Sequence, residues 1–175
     1  VEDLKDYLLS TQLYWPLPVS GGFSKSAPVS SVTPGNLLLS LRRLMATPLD
    51  ANERAQMDEW KTKFDQTRDH WRAAWNRKVS AEFSTRLDSW QNYLNELIEN
   101  PGRGKRGYPS SVRGRCILTL LQTDLDLKGC GAEQALDGLD AHLRSISAPG
   151  PFVWEPEVET AFPPEQFWFL YLSIL

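Results

Sequence analysis

The sequence has little of what usually carries chemistry: in 175 residues there are two cysteines, two histidines and two methionines. Two thiols cannot fill a four-thiolate zinc site, and they are too few for the dense disulfide framework of a small secreted domain. Cys116 and Cys130 therefore read as reduced thiols, with Cys116 on the inner face of its helix. His70 and His142 have no second histidine or cysteine one turn away, which removes the usual zinc spacing. The Gly-x-Ser-x-Gly, His-Glu-x-x-His, phosphate-loop and dinucleotide-binding patterns are missing as well. Gly21 to Ser26 comes near a phosphate loop but lacks its spacing and flanking strand. No cofactor and no metal is implied, and the chain reads as non-enzymatic.

Long apolar runs are also missing. The longest, Phe167 to Leu175, is nine residues with a serine inside, against the ~20 that span a bilayer. No stretch has the basic, apolar, small-residue order of a signal peptide. The expectation is a soluble cytoplasmic protein with no membrane partner.

The absence that says most about fold lies between Ala51 and Glu99, which contains neither glycine nor proline. Apolar side chains recur there at Met57, Trp60, Phe64, Trp71, Trp75, Val79, Phe83, Leu87, Trp90, Leu94 and Leu97, with Arg68 the one polar step. The mean spacing is about 3.6 residues, that of a straight α-helix. Asp50 and Glu53 form a capping box at its start. One helix from Ala51 to Glu99 is expected, bent if anywhere near Asn76 to Ser80, with its stripe covered along the whole length. Asp58, Asp65 and Asp69 interleave with Lys61, Arg68 and Arg72 at three- and four-residue spacing, a pattern of local ion pairs rather than a metal site.

Shorter helices flank this spine. Asp3 to Tyr14 has helical spacing ended by Pro16 and Pro18, and Thr33-Pro34 is an N-cap followed by proline at the first helical position, opening a helix to about Ala46. Helices are also expected from Val112 to Leu125, from Ala132 to Ile146, and from Glu165 to Leu175. No strand pattern and no internal repeat is evident. The fold class is all-α: a single domain over residues 1–175, an elongated bundle with one long central helix packed by five shorter ones. A Gly/Ser/Pro-rich loop lies at about 16–33.

Function is less legible. Pro101 to Arg115 holds five basic side chains and no acid, whereas Cys116 to Leu175 holds nine acids against two bases. Arg103, Lys105, Arg106, Arg113 and Arg115, with Tyr108 placed to stack on a base, are candidates for nucleic-acid or other polyanion binding. Its glycines and prolines give the same stretch a simpler use, a connector whose arginines meet Glu155 to Glu159 or solvent. The aromatic tail, Phe167, Trp168, Phe169 and Tyr171, is a candidate interface with another protein or a second copy, or an element inserted into its own core. The leading expectation is a helical domain for protein–protein interaction or self-association. A polyanion site is the alternative, and an enzyme or small-molecule binder with an aromatic-lined pocket between helices is a third.

Overall fold

The computed structural model describes residues 2–16, 31–125 and 131–175, so most of the loop expected at about 16–33 lies outside the described residues. It is an all-α helical bundle with only small sheets. The helices are α1 (Glu2–Leu9), α2 (Pro34–Ala46), α3 (Ala51–His70), α4 (Arg72–Glu99), α5 (Pro101–Leu125), α6 (Gly131–Ser145) and the short α7 (Pro164–Phe167). Single 3-10 turns cover Pro156–Ala161 and Trp168–Tyr171. Strands β1 (Trp15–Pro16) and β2 (Ser31–Val32) pair antiparallel, as do β3 (Ser147–Pro149) and β4 (Leu172–Ile174).

Two helix starts follow the sequence closely. Thr33 caps α2 by accepting from the Asn36 N–H, with Pro34 behind it, and Asp50 with Glu53 completes the capping box of α3. The long helix is broken, at Trp71 and not at 76–80: Trp71 has φ −105° and ψ 30°, outside the helical basin. Main-chain bonds from Trp71 to Thr67 and from Trp75 to Trp71 carry the chain through without reversal. At this joint Arg68 and Arg72, on opposite sides of the break, both approach Asp124 of α5, at 3.4 and 3.9 Å. The apolar stripe is not covered throughout. Only Met57 and Phe64 are buried on α3, Trp60 is 40% exposed, and Trp71 and Leu87 are half-buried.

The α4–α5 hairpin is the centre of the molecule. The chain reverses at Asn100, after which α5 runs back along α4. The basic stretch is thus no connector. Pro101 is the first residue of α5, and the helix continues through Pro109. Its inner side steps through Gly104, Tyr108, Val112 and Arg115, all buried. Gly104 permits the close approach, because a Cβ there would stand 2.3 Å from Leu97 Cδ1. α2 lies across α5 and α4, while α1 and α6 pack on α4.

α1 stops at Leu9 instead of Tyr14 because tertiary donors take the carbonyls beyond it. Lys78 Nζ donates to the Ser10 and Gln12 carbonyls, and the Tyr7 hydroxyl donates to Leu13 O. The chain end is likewise not one helix. Its main chain is claimed by β3 and its neighbours, with Gly150 N–H on Tyr171 O, Val153 N–H on Leu170 O and Leu175 N–H on Ile146 O. Buried side chains of α1, α2, α4, α5, α6 and this C-terminal segment form one continuous cluster.

Gly35, at the second position of α2, sets how closely that helix approaches the hairpin. A Cβ there would lie 2.1 Å from Ile117 Cγ2 and 2.9 Å from Glu82 Oε1. Alanine favours a helix over glycine by ~1 kcal/mol, but overpacking against a β-branched core side chain costs ~1–3 kcal/mol or more. Gly35→Ala should therefore be net destabilising in urea melts. A stabilised variant would show that α2 can shift away at no cost.

Candidate functional site

Glu82 is fully buried on α4 and faces the start of α2. It accepts from the Thr33 hydroxyl at 2.6 Å, the Gly35 N–H at 2.7 Å and Arg86 Nε at 2.7 Å. The positive end of the α2 dipole and one guanidinium thus compensate this carboxylate. Beside them, Asn36 Oδ1 accepts from both Arg86 Nη2 at 3.4 Å and Arg113 Nη2 at 3.2 Å. Arg43 of α2 pairs instead with Glu155 at 2.7 Å and lies 5.3 Å from the Trp154 ring centroid. The Glu155 carboxyl is held below its usual range by its own main-chain N–H first, then by Arg43.

Three helices therefore bring Arg43, Arg86 and Arg113 to one side of the protein. Arg86 and Arg43 have carboxylate partners, whereas among the described residues Arg113 pairs with none. Arg113 is exposed at the surface, yet partial desolvation by its neighbours first, then the charges of Arg86 and Arg43, pull its guanidinium below its ordinary pKa. Arginine remains protonated at neutral pH, so the shift registers partial desolvation, and secondarily the neighbouring like charges, rather than loss of charge.

Arg86 and Arg113 line a cavity of about 280 Å³ between two helix faces. α4 contributes Arg86, Ser89, Trp90 and Tyr93, at the i, i+3, i+4, i+7 spacing of one face, and α5 contributes Ser110, Ser111, Arg113 and Gly114. No acid lines it. The Ser110 and Ser111 hydroxyls have no protein partner among the described residues, while Ser89 donates to Thr85 O. A Cβ at Gly114 would meet nothing within 4 Å, so glycine there leaves open space. Trp90 stacks on Tyr93 at 5.4 Å, and its buried Nε1 has no acceptor, a deficit of about 1–3 kcal/mol. Ser110 and Arg113 also border a neighbouring cavity of about 700 Å³, whose other walls include Arg43, Trp154 and Glu155. Two guanidinium groups are donors only and the serine hydroxyls can each turn a donor inward, a set that suits an oxyanion.

The six residues of the basic stretch are dispersed by the helix. At ~100° per residue, Arg103, Arg106 and Arg113 fall within about 80° on one side of α5, and Lys105 lies elsewhere on its surface. Arg103 is 81% exposed and 3.3 Å from Glu96. Tyr108 is buried and donates to Phe169 O at 2.5 Å, so its ring is unavailable to a base. Arg115 is buried against Asp140, and it is Arg43 that meets Glu155. Of the six, only Arg113 lines the cavity. In the aromatic tail Phe167 and Phe169 are fully buried, Trp168 lies 3.8 Å under the Arg144 guanidinium, and the Tyr171 hydroxyl donates to Phe162 O.

Lys61 and Arg68 pair with Asp65, and Arg72 with Asp69, as their spacing predicts. Among the described residues no three His, Cys, Asp or Glu side chains gather as a metal site would need. Cys116 is a buried free thiol pushed up to about 12 by burial, with nearby arginines opposing the shift; Cys130 lies outside the described residues. Among the described residues no helix is long and apolar enough to cross a membrane. Compared with protein-family models, curated proteins and solved structures, the chain finds no match.

Proposed function

We propose that this domain is a non-enzymatic binding module that holds the phosphate or similar oxyanion of a ligand in the cavity between α4 and α5. The observation that carries the reading is Arg113, a guanidinium crowded against Arg86 on the one acceptor Asn36 Oδ1 and, among the described residues, without a carboxylate of its own. An oxyanion is the partner that relieves this crowding, and Ser110 and Ser111 supply further donors. The expectation of a polyanion site thereby narrows to a compact one, with Arg103 and Arg106 outside it. Self-association through Phe167, Trp168, Phe169 and Tyr171 is the weaker reading, since two of the four side chains are spent in the core.

Calorimetric titration with inorganic phosphate at constant ionic strength tests this. Saturable binding is expected, lost in Arg113→Ala and in Gly114→Leu, which blocks the cavity without removing charge. It should survive the double change Arg103→Ala with Arg106→Ala. Binding of oligonucleotides that depends on that pair, with a salt slope of roughly −0.7 to −0.9 per phosphate contact, would favour the extended polyanion surface instead. Absence of phosphate binding to the unaltered protein would refute the proposal.

A further inference from the structure

A second cavity, of about 660 Å³, lies on the other side of α2, where that helix meets α5, the 156–161 turn and α7. Its character is different. Leu38, Leu41, Met45 and Ala46 of α2, with Leu120 of α5, give it mainly apolar walls, to which Thr123, Thr160 and Gln166 add uncharged polar groups, and Met45 is 52% exposed at its edge. One cation enters this wall. Arg42 stands with its guanidinium 4.5 Å from the Phe167 centroid and 5.6 Å from that of Phe162, and its Nε donates to Ala161 O at 2.5 Å. Two rings and a carbonyl therefore fix its orientation, while its terminal nitrogens have no protein acceptor and no carboxylate pairs with it among the described residues. Burial is the main cause that pulls its pKa below the ordinary value.

The acid at the rim does not neutralise it. Asp124 is already taken by Trp75 Nε1 at 2.5 Å and by Arg68 at 3.4 Å. An apolar concavity with one oriented, unmatched guanidinium selects for a ligand with the inverse pattern: a hydrocarbon body and a single negative head. A phosphate ion would leave the leucine walls wet, and a neutral hydrocarbon would leave Arg42 unmatched.

We infer that this cavity binds a small amphiphilic carboxylate, its head on Arg42 and its hydrocarbon body against α2. The site is separate from the oxyanion cavity and stands or falls independently of it.

Decanoate, kept below micelle-forming concentrations, is the probe, with decanol and acetate for comparison, followed by calorimetry and by amide chemical shifts of α2. Decanoate should bind saturably and shift Leu38 to Ala46. Arg42→Gln keeps a polar side chain at this wall but removes the charge, and should weaken decanoate by about tenfold or more while leaving decanol unchanged. Ala46→Trp fills the cavity from a half-exposed position and should abolish both, and Arg113→Ala should change neither. Decanoate binding unaffected by Ala46→Trp, equal affinity for decanol and decanoate, or no decanoate binding at all would each overturn the inference.

Discussion

Replacing Arg115 by alanine is expected to cost about 3–5 kcal/mol, a large share of the ~5–15 kcal/mol that holds a domain together. Arg115 of α5 is 5% exposed and Asp140 of α6 is 6% exposed. They form a bidentate pair at 2.7 and 2.6 Å, a third donor reaches Thr119 Oγ1 at 2.6 Å, and the guanidinium lies 4.5 Å from the Phe169 centroid. The pair itself is a weak source of net stability, because desolvation offsets most of its attraction. The loss comes from what remains: a carboxylate with no cation, sealed between two helices. The double variant Arg115→Met with Asp140→Leu removes both charges and should recover most of that loss. Urea melts of the two variants decide the point. A single-variant loss below about 1 kcal/mol would mean that water reaches Asp140, and a double variant as unstable as the single one would assign the effect to packing.

The elements that were legible in the sequence are those whose cause is local. The cap at Thr33 needs only Thr, Pro and the first turn of α2, and the box at Asp50 needs only Glu53 three residues on. α5 was harder, since three glycines and Pro109 in its first half argue for a turn. Packing overrode propensity there. The signal was present as Gly104, Tyr108, Val112 and Arg115 at helical spacing, but a glycine used for close approach and an arginine used in the core look like loop residues until Leu97 and Asp140 are opposite them. The last segment failed in the opposite way. A nine-residue run that is apolar but for one serine suggests a buried helix, yet its main chain pairs with residues 146–153, which no local pattern reveals.

The oxyanion cavity was illegible for a related reason. Arg86, Ser89, Trp90 and Tyr93 share a face by spacing, and so do Ser110, Arg113 and Gly114, but nothing in either run says that the two faces meet. That depends on the reversal at Asn100. The run of basic residues drew attention to six positions, of which the helix kept one for the cavity and turned two into the core.

Trp75→Ala should be as damaging as loss of Arg115, at about 3–5 kcal/mol, and its consequences should be uneven along the chain. The side chain is completely buried, packs edge-on to Phe64 at 5.6 Å, and donates from Nε1 to Asp124 Oδ2 at 2.5 Å. It therefore ties α3, through Phe64, to α5, through Asp124, one turn past the break at Trp71. α3 has little else to hold it, with Met57 and Phe64 its only buried side chains and Trp60 stacked on Phe64 from outside. Removing the indole leaves a void beside Phe64 and takes one donor from a carboxylate that keeps Arg68 and Arg72 nearby. Trp75→Phe retains most of the packing and loses the hydrogen bond, so its cost should be smaller, about 1–3 kcal/mol. Amide exchange separates the two roles. In the alanine variant residues 51–70 should lose protection well before residues 83–97, because α4 still packs against α5 while α3 has lost its tie. Uniform loss of protection across both helices would instead make α3 and α4 one cooperative unit in which the break at Trp71 has no energetic meaning.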